Sequence, residues 1–143
     1  MLGETYETLN LNNNTIFIFE SVGPKGIIPK IVVFQERNDG KWNLGFGDYL
    51  NGGLNDKVIS NNSDIRKVMF TVAETIYTFT ETYPDKIVFI QPVDKRRGNL
   101  YNLIFQKRWN EIKDKFHILG EVNGRRTIYD PSLFFETFEL QLK

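Results

Sequence analysis

Residues 65–91 read IRKVMFTVAETIYTFTETYPDKIVFIQ, and the period of their apolar positions changes once along the way. Ile65, Val68, Met69, Val72, Ile76, Phe79 and Tyr83 fall at i, i+3, i+4, i+7 spacing, one apolar stripe over about five helical turns. Asn62 or Ser63 is placed to cap the first turn, Asp64 sits beside the positive end of the dipole, and Pro84 stops the helix. Lys86–Gln91 then reads as a near-continuous apolar run, the pattern of a strand buried on both faces. A helix handing directly to a buried strand sets the chain in a mixed class.

Upstream, the pattern is extended. Thr15–Ser21, Ile27–Arg37 and Trp42–Tyr49 are rich in β-branched and aromatic residues. They are separated by the turn sequences Gly23-Pro24-Lys25-Gly26 and Asn38-Asp39-Gly40, so they predict an antiparallel meander. Residues 1–14, ending in Asn12-Asn13-Asn14, read as a loop, as does the Asn/Gly/Asp-rich stretch Leu50–Asn62. Downstream, Pro92–Gly98 reads as a basic loop. From Asn99, the positions of Tyr101, Phe105, Trp109, Ile112 and Phe116 predict a second amphipathic helix ending near Phe116. Asn123-Gly124, between Ile118–Val122 and Arg125–Tyr129, is a hairpin signal, and Phe138, Leu140 and Leu142 alternate with polar residues in a closing strand. The order β-β-β-α-β-α-β-β, with a further terminal strand, predicts an α+β fold. One mostly antiparallel sheet would carry both helices, in a single domain over residues 1–143.

Composition narrows the chemistry. Of 143 residues, 41% are hydrophobic and 25% charged, enough apolar mass for a packed core and too much for a disordered chain. The chain has no cysteine and one histidine, which excludes disulfides, thiol catalysis, thiolate zinc sites and histidine-cluster metal sites. No apolar run approaches the roughly 20 residues needed to cross a bilayer. Met1-Leu2-Gly3-Glu4 lacks the basic and apolar regions of a signal peptide, so a cytoplasmic protein is expected. Eighteen Lys and Arg balance 18 Asp and Glu, which argues against nucleic-acid binding through bulk charge. The balance is uneven locally. Residues 91–126 hold nine cations and four acids, a net +5 against −5 for the rest. A solvated face explains such a bias more readily than a binding surface does.

The strongest binding candidate in the sequence is Asp94-Lys95-Arg96-Arg97-Gly98-Asn99, between a buried strand and a helix. Free N–H groups at a helix start, with ammonium and guanidinium groups beside them, suit a phosphate or carboxylate. Gly98 would let a ligand approach the backbone, and Arg125 and Arg126 would add contacts if the hairpin folds back beside the loop. A second candidate is Gly45-Phe46-Gly47-Asp48-Tyr49 with Asn51, Asn55 and Asp56. Its alternate glycines mark a bulge or a close approach by backbone or ligand. Its acids and amides depart from the calcium-loop spacing and read first as turn residues. His117 is expected at the C-terminal end of the second helix, as a capping or packing residue. No catalytic residue, cofactor or metal is assigned by these patterns.

Several segments together carry a resemblance: Gly23-Pro24-Lys25-Gly26 before an Ile/Val-rich strand, Gly45-Phe46-Gly47-Asp48, Ser60-Asn61-Asn62 before the first helix, Arg97 with Leu100-Tyr101, and Phe116 with Gly120. The chain resembles a family of small uncharacterised bacterial proteins, a domain of unknown function, over almost its whole length. The resemblance implies a stand-alone cytoplasmic protein and brings no activity with it. The element order is also similar to the later part of acetyl-CoA-dependent N-acetyltransferases. That family's Gly-containing pyrophosphate loop would fall on Lys57–Asp64, which has no glycine and carries an acid.

Three functions follow as alternatives. The first is a non-enzymatic interaction module for a protein or an anionic small molecule, acting through residues 95–126. The second is an acyltransferase-like enzyme, which requires a V-shaped gap between the third strand and Lys86–Gln91. The third is single-stranded nucleic-acid binding, which requires exposed Tyr101 or Trp109 rings.

Overall fold

A computed structural model of the chain describes residues 4–55 and 60–143. The meander forms as β2 (Ile16–Gly23), β3 (Gly26–Glu36) and β4 (Trp42–Leu50), paired antiparallel in sequence. The helix α1 (Ile65–Thr82) leads to the short strand β6 (Val88–Ile90). Helices α2 (Lys95–Lys107) and α3 (Trp109–Ile112) follow, then β7 (Phe116–Val122), β8 (Arg125–Ile128) and β9 (Thr137–Leu142). Two further strands, β1 (Leu9–Leu11) and β5 (Gly53–Asn55), pair with β2 and β4. The spatial order is β1-β2-β3-β4-β6-β9-β7-β8, with β5 beside β4. Among the described strands only β4 and β6 pair in parallel, as the α1 crossover between them requires. The α+β class and the order of its elements stand as read from the sequence.

One face of the sheet holds the core. Phe17, Phe19, Val32, Phe34, Leu44 and Phe46 alternate onto it from β2, β3 and β4. The α1 stripe packs down on them through Val68, Met69, Val72, Ile76 and Phe79, all buried as predicted, with the Phe79 and Phe34 rings stacked at 4.3 Å. Helix α2 lies on the same face, where Phe105 stacks on Phe138 at 4.5 Å. The reverse face of β9 turns Glu139 toward Arg126 and Lys41. Asn123 and Gly124 both have positive φ, 51° and 76°, the backbone that a two-residue primed turn needs.

Four expectations are corrected. The loops at 1–14 and 50–62 each contain a strand, β1 and β5; both are three residues long, too short to show an alternation. The second helix begins at Lys95 rather than Asn99, so most of the basic stretch is its first turn. Three cations at the positive end of a helix dipole are unfavourable, which hid this start, but Asp94 offsets them as the N-cap. The helix also ends early. Lys107 closes α2, α3 adds one turn, and Phe116 opens β7, where it alternates with Ile118 and Gly120. Ile112 and Phe116 are four apart, a spacing that helix periodicity claims by accident. His117 therefore lies on β7 and is exposed. Finally, neither Asn62 nor Ser63 caps α1. Asp64 holds the N-cap position, and its carboxylate accepts from the Tyr6 and Ser21 hydroxyls instead of the helix amides.

Candidate functional site: the β4–β6 cleft and the start of α2

β4 and β6 pair only at Trp42–Val88 and Asn43–Phe89. The Trp42 N–H donates to the Ile87 carbonyl at 2.8 Å, so strand alternation turns the backbone groups of Leu44 and Phe46 to the same side. No described strand pairs with them there, because β5 takes up that edge only from Asp48 onward. Beyond Asn43 the strands part and leave a cleft of about 60 Å³. Leu44, Gly45 and Phe46 form one wall, Ile90 to Val93 the other, and Arg97 and Tyr101 reach in from α2.

Arg97 is the unusual group. It is only 5% exposed, and its guanidinium makes no hydrogen bond among the described residues. Asp94 Oδ2 stands 3.6 Å from Nε, an ion pair too long to be a hydrogen bond. Asp94 is half exposed and already accepts from the Arg97 backbone N–H at 2.8 Å. A buried Nε–H without an acceptor is costly in a protein interior. Tyr101 beside it is buried, and that burial pushes its phenol well above the usual tyrosine range, so it stays neutral.

The other residues expected at this site fall in different places. Lys95, Arg96 and Asn99 are exposed on the first turns of α2, and no carboxylate stands within ion-pair distance of Lys95 or Arg96 among the described residues. Gly98 is buried against the side chains of Pro92 and Phe134. Its N–H donates to the Asp94 carbonyl. The helix-opening amides are thus partly used by Asp94 rather than wholly free. Arg125 is exposed at the β7–β8 turn. Arg126 is held by Glu139, with Nε and Nη2 at 2.9 and 3.2 Å from its carboxylate oxygens. No hydrogen bond or ion pair among the described residues joins either arginine to the α2 start.

The glycines of the second candidate have a structural cause. A Cβ on Gly47 would lie 2.2 Å from the Asn55 carbonyl oxygen, so it is backbone that approaches there. Asp56, and the Lys57–Ile59 part of the stretch compared with the acetyltransferase loop, lie outside the described residues. Tyr101 and Phe105 are core residues, and Trp109 is half-buried against Tyr129 at 4.8 Å, so these rings offer no exposed stacking platform.

One cluster escaped the sequence reading. Lys30 is 1% exposed and donates from Nζ to Asp48 at 2.5 Å and to the Ser60 carbonyl at 3.0 Å. The Ser60 hydroxyl donates to the other Asp48 oxygen at 2.7 Å. The signal was present: Lys30 has the same strand parity as Val32 and Phe34, which points it into the core.

The model of a family of unknown function, DUF6934, matches residues 3–143. The chain belongs to that family. DUF6934 membership agrees with the resemblance read from the motifs and names no activity. No curated protein and no solved structure matches the chain.

Proposed function

We propose that this DUF6934 protein is an anionic-ligand-binding module whose site is the β4–β6 cleft, with Arg97 as the anchor. The observation that carries this reading is the buried Arg97 side chain at the cleft, whose Nε–H has no acceptor among the described residues. Such a group is tolerated where a ligand completes it, and a carboxylate, phosphate or sulfonate matches its planar fork bidentately. The backbone groups of Leu44 and Phe46 face the same space and would add donors and acceptors. The walls are otherwise apolar, which favours a ligand with an apolar body and one anionic end. Lys95 and Arg96 raise the local potential and steer the ligand rather than hold it.

The test compares wild type, Arg97→Met and Lys95→Ala/Arg96→Ala in thermal-shift titrations with sulfate, phosphate and benzoate. Arg97→Met should abolish the shift. The double variant should keep most of it and lose only part of its salt sensitivity. Equal shifts in wild type and Arg97→Met would refute the reading.

A second reading, an acyltransferase-like enzyme, is favoured by one observation: the gap between β4 and the β6 strand that this reading requires. Against it stands Asp64 at the start of α1, where a pyrophosphate would meet a carboxylate. Titration with acetyl-CoA, coenzyme A and phosphate separates the two readings. A response to the first two alone supports the enzyme.

A further inference from the structure

Helices α1 and α2 run side by side, and a groove of about 140 Å³ separates their outer halves. Ile65, Met69 and Phe70 line one side and Leu100, Leu103 and Ile104 the other. Met69 and Ile104 also line a neighbouring recess of about 30 Å³, walled by Ala73, Ile76, Phe105 and Phe116 and almost without polar surface. Water entering this recess would find no partners, and such cavities stay dry and accept hydrocarbon.

The mouth has the opposite character. Arg66, Lys107 and Arg108 stand around it, and among the described residues no acid lines it; Glu4 and Asp64 lie in the adjoining pocket on the far side of Arg66. Arg66 and Lys107 have no carboxylate within ion-pair distance among the described residues. Arg108 lies over the Phe70 ring, 5.2 Å from its centroid. Its Nε is buried without a hydrogen bond, and the Glu111 carboxylate stands 3.9 Å from its Nη1. A dry apolar recess below a ring of cations is the complement of one kind of molecule: an alkyl chain ending in an anion.

We infer that the α1–α2 groove binds a single-tailed anionic amphiphile, with the chain lying along the groove, its tip at the recess, and the head group between Arg66, Lys107 and Arg108. The groove and recess share only Tyr101 with the β4–β6 cleft, so this site stands independently of the function proposed above.

The test uses decanoate, decanol and decyltrimethylammonium below their micellar concentrations, with binding followed by calorimetry and thermal shift. Decanoate should bind, decanol more weakly, and the ammonium compound least. Arg66→Ala/Lys107→Ala should weaken decanoate about tenfold and leave decanol unchanged. Ala73→Leu should weaken both by filling the recess at the chain's tip. Should that variant fail to fold, Leu103→Glu, at a partly exposed position, places a carboxylate at the mouth and should repel decanoate while leaving decanol bound. In Arg97→Met, which removes the cleft's anchor, decanoate should still bind and should still be weakened by Arg66→Ala/Lys107→Ala, which separates this site from the cleft. Equal binding of the anionic and cationic amphiphiles, or decanoate binding indifferent to both the mouth and the recess substitutions, would overturn the inference.

Discussion

Replacing Lys30 by methionine leaves Asp48 as a buried carboxylate without its cation. Breaking a buried pair in this way costs about 3–5 kcal/mol, mostly from the charge left behind. Here the lower end applies, because the Ser60 hydroxyl at 2.7 Å and its backbone N–H at 3.3 Å still donate to Asp48. A loss of about 3 kcal/mol should lower Tm by roughly 10 °C in a chain of this size. Asp48→Asn should cost a similar amount by stranding the ammonium. The double variant Lys30→Met/Asp48→Asn removes both charges and keeps an acceptor for the Ser60 hydroxyl, so it should recover about 2 kcal/mol relative to either single variant. Urea unfolding of the four proteins, read by Cm at constant m, measures the cycle. Single variants within about 1 kcal/mol of wild type, or a double variant whose loss equals the sum of the singles, would show that no such charge is stranded.

Other consequences can be read with the same assays. Gly124→Val forces a β-branched residue to a φ of 76° and should cost about 1–3 kcal/mol in urea unfolding. Tyr129→Phe should leave stability unchanged or raise it by up to about 1 kcal/mol, because the Tyr129 hydroxyl is buried without a partner. Burial pushes that phenol up to about 12, so its contribution is present below the ordinary value of 10.0 and lost as pH rises toward 12. Removing the hydroxyl in Tyr129→Phe should flatten this alkaline limb. The Arg126 hydrogen bonds, with Lys41 adding to them, hold the Glu139 carboxyl below its ordinary 4.5. Its stabilisation is therefore present above that value and lost as pH falls through the lower folded one, and Glu139→Gln should flatten the acid limb.

Most elements that the sequence announced have enough length to repeat a period; β6, three residues long, was marked instead by the continuous apolar run around it. The α1 stripe spans the helix, and every strand of the meander alternates over several residues. β1 and β5 have three residues each and leave no such trace. The division between α2 and β7 was obscured because Ile112 and Phe116 satisfy the helical spacing, while the alternation that places Phe116 in a strand starts only there. The site was half legible. The basic stretch marked the right segment, but its exposed members drew attention equally with Arg97. Which of three adjacent cations turns inward depends on how α2 rolls against Phe138, a tertiary fact. Arg126 was misplaced for the same reason: its partner Glu139 lies 13 residues away in the chain and across the sheet.

If Arg97 anchors an anion in the β4–β6 cleft, removing its guanidinium must abolish binding without harming the fold. Isothermal titration of benzoate and sulfate into wild type and Arg97→Met, with urea unfolding of both ligand-free proteins, measures the two together. Arg97→Met should bind neither anion, while its ligand-free stability equals or exceeds that of wild type, because a guanidinium without a hydrogen bond has been replaced by an apolar side chain. Retained binding in Arg97→Met, or no binding by wild type, would rule out Arg97 as the anchor.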